Sequence, residues 1–373
     1  MKIAKVIVSE HSIPFPKSGS WTQRIEYFLK REQNCIDFFI CGETNLRIKT
    51  KTKFLRISQL KNRIILIFFK HYRYIYYFKS LKDLLIDNDY LIICVIDNVK
   101  LKNALTYFFK KSNLSKRITV IFYNCGYSYF LDDKENSVFL QGCDEVLFLT
   151  ESAYLFNKNK YLEFIPEVTV LHNPINKNIF SPVEKMEKEL LLEEFGLSGK
   201  IVYLWLSHDR EKKGLNLILN AWKDWNKSSD QAVLLVVGVQ REEKIDGVIF
   251  FGQIDTNQVA KFYNLAHVYI FSSLCKEGFG LSLAQAISCN CFIIASNNGG
   301  VSDFFNPLNG ILLDRPNIVN EWVNSFEESF IKIESGFLVE NIENQILDID
   351  EWCDKFSEVF EKWERRKSSK MNF

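Results

Sequence analysis

The chain alternates short runs of β-branched and aromatic apolar residues with longer segments whose apolar residues recur every three or four positions. The first pattern belongs to buried strands and the second to amphipathic helices, and their alternation marks layered α/β domains built on parallel sheets. In the first half the runs predict strands at Lys5–Val8, Cys35–Cys41, Tyr90–Ile96, Thr119–Tyr123, Glu145–Thr150 and Thr169–His172. Helices fall between them, notably Ser20–Lys30 and the long Leu60–Ile86 region. In the second half strands are expected at Ile201–Leu206, Ala232–Val237, Val248–Phe251, Val268–Phe271, Cys291–Ala295 and Gly310–Leu312, and helices at Leu215–Trp225, Asn257–Asn264, Leu281–Ile287 and Ile318–Phe330. Two doubly wound α/β units in tandem are the economical arrangement. The turn formers of Asn173-Pro174-Ile175-Asn176-Lys177, with Phe180-Ser181-Pro182 after them, predict the boundary. The acidic Glu184–Glu194 stretch then reads as a surface helix. The expected domains are 1–176 and 177–348, with 349–373 as a terminal helical segment. Trp352, Phe356, Val359, Phe360 and Trp363 share one face of that segment, and the first domain is the candidate cover for it. The Lys/Arg/Ser tail beyond Trp363 is expected to be disordered.

Composition is that of an ordinary globular chain: of 373 residues, 47% are hydrophobic and 25% charged, which excludes a disordered or collagen-like protein. The net charge of +1 conceals a division. Up to Asn176 there are 26 Lys/Arg against 17 Asp/Glu, a net +9, and beyond it 21 against 29, a net −8. Between Thr44 and Lys82 eleven basic residues occur without one acidic residue: Arg47, Lys49, Lys51, Lys53, Arg56, Lys61, Arg63, Lys70, Arg73, Lys79 and Lys82. Phe54, Phe68, Phe69, Tyr72, Tyr74, Tyr76, Tyr77 and Phe78 are interleaved with them. Basic residues with aromatics on an amphipathic helix suit an anionic membrane surface. The alternative is a solvated helix whose aromatics pack into the core; nucleic acid is not an expected partner, because no recognition motif accompanies the charge. Nine cysteines without a C-x-x-C read as reduced, mostly buried thiols of a cytoplasmic protein. The apolar run at the start is too short for a signal peptide, and Ile64–Phe69 and Leu91–Ile96 fall far short of the roughly 18 residues of a membrane span. A cytoplasmic location is expected, with the basic half offering peripheral contact at the inner face of the membrane.

Three segments carry candidate chemistry, each at the carboxyl end of a predicted strand. In Ser272-Ser273-Leu274-Cys275-Lys276-Glu277-Gly278-Phe279-Gly280-Leu281 a carboxylate precedes a Gly-Phe-Gly turn and a helix start. Such a turn admits close backbone approach, the helix start offers free N–H groups to an anion, and the carboxylate suits sugar hydroxyls. Its plain alternative is a helix with an acidic first turn. Ser207-His208-Asp209-Arg210-Glu211-Lys212-Lys213-Gly214 follows the first strand of the second domain, where Arg210 and Lys213 can present charge to a diphosphate; alone, its default reading is a solvated charge run. Asn297-Asn298-Gly299-Gly300-Val301-Ser302-Asp303 is a glycine turn on the same edge. Convergence of the three raises each above its alternative.

In that order the segments resemble the nucleotide-sugar-binding domain of glycosyltransferase family 4, retaining enzymes with the GT-B fold. Val168-Thr169-Val170-Leu171-His172-Asn173-Pro174-Ile175-Asn176, with Phe180 and Pro182, is similar to the family's N-G-V-D and F-x-P signature, and Glu277-Gly278-Phe279-Gly280-Leu281 to its E-G-F-G-L. The resemblance covers Thr169 to Leu313; before it, Pro16-Lys17-Ser18-Gly19-Ser20 occupies the place of the family's glycine loop. It implies two Rossmann-like domains, with Gly19 and Asn124 on the acceptor side of the first. In the second it implies Glu277 at the donor sugar, the Phe279, Gly280 and Leu281 backbone at sugar and diphosphate, and Lys213 at the diphosphate. Three positions depart from the pattern. The family's second Glu is Gln285, its diphosphate Arg is His208 with Arg210 two residues along, and its acceptor-side His is Asn124, which is neither acid nor base.

The resemblance implies a sugar nucleotide as donor, a glycan or lipid-linked acceptor, retention, and a place in surface polysaccharide or glycolipid assembly. No D-x-D lies in a suitable loop, so neither a metal nor another cofactor is expected. Lys213, Arg210 and the helix start at Leu281 would stabilise the leaving phosphate. A non-catalytic GT-B protein that binds a nucleotide sugar stays open as the alternative, as does a GT-B epimerase or phosphorylase.

Overall fold

The computed structural model describes residues 1–14, 20–58, 67, 69–129, 133–160, 164–225, 231–337, 339 and 346–369. Two compact units emerge, one of residues 1–172 with 349–373 and the other of 173–348. In the first unit the strands β1 (Ile3–Val8), β2 (Phe38–Gly42), β3 (Lys53–Ile57), β4 (Tyr90–Ile96), β5 (Ile118–Tyr123), β6 (Glu145–Phe148) and β7 (Glu167–Val170) form one sheet. Their order is β3-β2-β1-β4-β5-β6-β7, with every pair parallel. The second sheet holds β8 (Ile201–Leu206), β9 (Ala232–Val237), β10 (Val248–Phe251), β11 (Val268–Phe271), β12 (Phe292–Ser296) and β13 (Gly310–Leu313), also all parallel, in the order β10-β9-β8-β11-β12-β13. Each sheet runs outward in both directions from its first strand. That reversal leaves a crevice at the carboxyl ends of β1 and β4 in one unit, and of β8 and β11 in the other.

Burial explains the strands. Every residue of β4 and of β9 is buried, as expected of a parallel strand covered by helices on both faces, and both read as uninterrupted apolar runs. β3 differs: Lys53 is exposed and the other four residues are only partly covered, the behaviour of an edge strand. Helices cover the sheets through apolar stripes. Leu215, Ile218, Leu219 and Trp222 of helix Leu215–Trp225 enter one core beside Trp322 and Phe326, and Leu101, Leu105, Phe108 and Phe109 of helix Val99–Lys111 enter the other. Helix Val99–Lys111 starts where Asn98 accepts the Leu101 N–H at 2.8 Å.

The terminal helix Ile349–Ser369 packs on the first unit. Trp352, Phe356, Val359, Phe360 and Trp363 are buried, with Phe28 edge-on to Phe356 at 5.0 Å and Tyr123 at 5.8 Å from it. At the fully buried Glu145, Trp363 Nε1 donates at 2.5 Å and Lys362 Nζ at 2.6 Å, while Thr169 Oγ1 donates at 2.5 Å. The basic tail expected to be disordered continues this helix to Ser369, because Arg366 pairs with Glu167 and stacks with Lys367 on Trp363.

The basic Thr44–Lys82 segment holds more than the amphipathic helix expected of the Leu60–Ile86 region. Lys53 and Arg56 stand on β3, and a 3-10 turn, Lys70–Tyr74, leads into helix Ile75–Asp87. Tyr74, Tyr77 and Phe78 are buried in the core, whereas Phe69 and Tyr76 are exposed. Lys61, Arg63 and Phe68 lie outside the described residues. Arg47, Lys49, Lys51, Lys53, Lys70, Arg73, Lys79 and Lys82 are exposed. Among the described residues no helix is long and apolar enough to cross a membrane.

Candidate active site

All three segments singled out in the second half reach the carboxyl edge of the second sheet. The loop after β8 and the loop after β11 flank its crevice and touch directly, Leu274 N donating to Lys212 O at 2.8 Å. Lys213 Nζ lies 2.6 Å from Glu277 Oε1, and the two side chains retain 25% and 18% of their exposure. Ser273 Oγ donates to the same Oε1. Behind the cation, Ser272 Oγ donates to Lys213 O at 2.7 Å and accepts from Trp205 Nε1 at 2.9 Å. Gly214, at φ +72°, ends this loop where a Cβ would stand 2.4 Å from Ser272 O, so the tight approach requires glycine.

The loop after β12 acts as a clamp. Glu277 N donates to Asn298 O at 3.3 Å, Gly300 N to Glu277 O at 2.9 Å, and Asn298 Nδ2 to Ser273 O at 2.7 Å. Gly299 adopts φ +79°, and a Cβ there would meet Glu277 O at 2.3 Å. Backbone and side chain of Glu277 are therefore fixed from two loops. After it, Gly280 adopts φ +89° at the cap of helix Leu281–Ser288. The first helical N–H bond is Ala284 N to Gly280 O at 3.1 Å, so the N–H groups of Leu281, Ser282 and Leu283 precede the ladder. Phe279 is buried and stacks on Phe304 with ring centroids 4.4 Å apart, which sets the turn.

His208 and Arg210 are exposed on the β8 loop, and neither side chain is hydrogen-bonded or ion-paired among the described residues. Gln285 is half-buried, its Oε1 accepting from Tyr263 Oη at 3.4 Å. Two features were not foreseen. Arg241, after β9, is held by both oxygens of Asp209 at 3.1 Å and by Asn216 at 2.8 Å, adding a third cation beside the β8 loop. Ser273 and Asn298 fix Glu277, although their side chains carry no charge to advertise a role.

In the first unit Asn124 is buried at the end of β5, its N–H donating to Leu147 O and its Nδ2 to Gly126 O at 2.8 Å. One amide N–H thus bonds within its own turn. Gly19 lies outside the described residues. The crevice between β1 and β4 gathers Glu10, which Arg73 reaches at 3.1 Å and Asn98 also binds, and Asp97. Asp97 is a left-handed non-glycine residue, φ +49°, that accepts Cys125 N at 2.9 Å. Surrounding protein raises its carboxyl pKa above the ordinary value, against the pull of Arg24 and His11.

Residues 187–336 match the family model described as Glycosyl transferases group 1. That segment is a group 1 glycosyl transferase domain. An uncharacterized glycosyltransferase of Methanocaldococcus jannaschii is 24% identical over 202 residues, 50% of this chain and 49% of that protein, so the chain spans about half of that relative. Sucrose-phosphate synthase from Thermosynechococcus elongatus superposes with a TM-score of 0.73 at 14% identity, over 97% of this chain and 100% of that one. HepE of Anabaena in complex with UDP-glucose gives 0.65 at 12% identity, over 96% and 99%. These likenesses identify the fold as that of the GT-B glycosyltransferases, two parallel-sheet α/β domains.

Proposed function

We propose that this protein is a glycosyltransferase that moves a sugar from a nucleotide diphosphate donor to a glycan or lipid-linked acceptor, with retention, in surface polysaccharide or glycolipid assembly. The observation that carries this is the Lys213–Glu277 pair at the crevice of the second sheet, beside the open helix end at Leu281. Breaking the bond between anomeric carbon and phosphate builds negative charge on the leaving oxygen and positive charge on the sugar. Lys213, Arg210 and the helix end stabilise the first, and Glu277 accepts hydrogen bonds from the sugar's hydroxyls. The acceptor oxygen attacks the same face of the sugar, and its proton passes to the leaving phosphate. No step calls on a metal. The donor reading is supported by the complex of the structurally similar HepE with UDP-glucose.

The test is slow hydrolysis of sugar nucleotides followed by magnetic resonance. Wild type is expected to release the sugar with its anomeric configuration kept, and Glu277→Ala to lose at least about a hundredfold in rate with unchanged unfolding temperature. An inverted sugar contradicts retention. Tight binding without turnover, with any acceptor, favours the second reading, a GT-B protein that holds a nucleotide sugar without converting it. Gln285, His208 and Asn124 speak for that reading, since each replaces an ionisable or cationic group of the family pattern.

The exposed lysines and arginines of Thr44–Lys82, with Phe69 and Tyr76, are proposed to dock the first unit on an anionic membrane surface. Sedimentation with anionic vesicles is expected to carry the protein down, and with neutral vesicles not. Equal, negligible binding to both sinks the docking idea.

A further inference from the structure

The Lys213–Glu277 pair has a consequence for the ligand that leaves. Glu277 is held beside the cation by the Lys213 ammonium at 2.6 Å, by Ser273 Oγ and by the backbone clamp of Asn298–Gly300. A phosphate oxygen that accepts from Lys213 at about 2.8 Å stands no more than about 5.5 Å from Glu277 Oε1, because both surround one nitrogen. At that range, in a site partly shielded from water, two negative charges repel appreciably.

We propose that Glu277 makes the site discriminate between an intact sugar nucleotide and the nucleoside diphosphate left after transfer, loosening the latter. This rests on the reading of Lys213 and Glu277 as the diphosphate and sugar ligands. In the donor, the phosphate oxygen next to Glu277 is esterified to the sugar, and sugar hydroxyls donate to the carboxylate. In transfer the anomeric carbon–oxygen bond breaks, its electron pair stays on the phosphate oxygen, and the anomeric carbon bonds to the acceptor oxygen. The acceptor's proton passes to that phosphate oxygen and then largely to solvent, since a terminal phosphate holds most of a second charge at pH 7. Glu277 then faces an added negative charge with no hydroxyl between them. One carboxylate favours the substrate and disfavours the spent nucleotide.

Titration calorimetry with UDP and UDP-glucose, GDP and GDP-mannose, and ADP and ADP-glucose tests this on the full chain. For the pair that binds, Glu277→Gln is expected to tighten the nucleoside diphosphate by about fivefold or more and to weaken its sugar nucleotide. Glu277→Ala, which cannot keep a hydroxyl contact, is expected to move the two affinities in the same opposite directions. Parallel changes in both ligands overturn the discrimination while leaving the donor site standing. A wild-type protein that binds none of the six overturns the donor reading itself.

Discussion

His267 stands just before β11, where its Nδ1 accepts the Val202 N–H at 3.0 Å. Burial, and the Lys188 ammonium beside it, push its pKa down to about 3. The unfolded chain binds this proton near pH 6.5 and the folded chain does not, so folded stability is full above pH 6.5 and falls as the pH drops toward 3. The slope contributed by this one residue reaches at most about 1.4 kcal/mol per pH unit. His267→Asn, whose amide oxygen can keep the Val202 bond, is expected to flatten the fall in unfolding temperature between pH 7 and pH 5. An unchanged profile assigns that fall to other groups. The same scale separates what the residues of the site disclose in sequence from what they conceal. Glu277 and Lys213 stand out in sequence as charges beside glycines at strand ends, but that they meet, at 2.6 Å, is visible only in the fold. Ser273 and Asn298 do not stand out, because their role depends on which atoms of other loops they meet. Asp97 and Glu10 are equally silent, since nothing local sets them apart from other carboxylates until the β1–β4 crevice brings them together.

At the scale of elements, the second half of the chain is read more closely than the first. β8, β9, β10, β11 and helix Leu215–Trp225 have the bounds that their apolar patterns predict, because each pattern is bracketed by turn formers or polar residues. β3 escapes prediction: Lys53-Phe54-Leu55-Arg56-Ile57 carries two cations, which an edge strand tolerates and a central one does not. The Leu60–Ile86 region misleads for a related reason. Aromatics crowd Phe68–Phe78, so periodicity there cannot distinguish the 3-10 turn Lys70–Tyr74 from the first turns of helix Ile75–Asp87, while residues 60–66 and 68 lie outside the described residues. The terminal helix gives the opposite case. Its aromatic face is plain in sequence, yet its last turn is held by Arg366 on Glu167, far away in the chain, as well as by cations stacked on Trp363 of the same helix. Long-range ion pairs extend a helix where local composition signals an end.

Across the whole molecule the charge division survives folding. The terminal segment 349–373 carries six residues of each sign, so its membership of the first unit leaves that unit at +9 and the second at −8. A net negative unit is thus the one proposed to hold a diphosphate. It does so with local cations, Lys213, Arg210 and Arg241, and with a helix end, all at the carboxyl edge of one sheet; bulk charge has little influence where placed charges lie within a few ångströms. The central claim is therefore that the second unit recognises a sugar nucleotide through that edge. A thermal-shift screen against UDP-, GDP-, ADP- and CMP-sugars tests it most directly, because a ligand that binds only the folded chain stabilises it by about 2.7 kcal/mol at a hundred times its dissociation constant. One nucleotide class is expected to raise the unfolding temperature of wild type and to leave that of Lys213→Met nearly unchanged. No shift with any of the four, at millimolar concentration, would contradict the account.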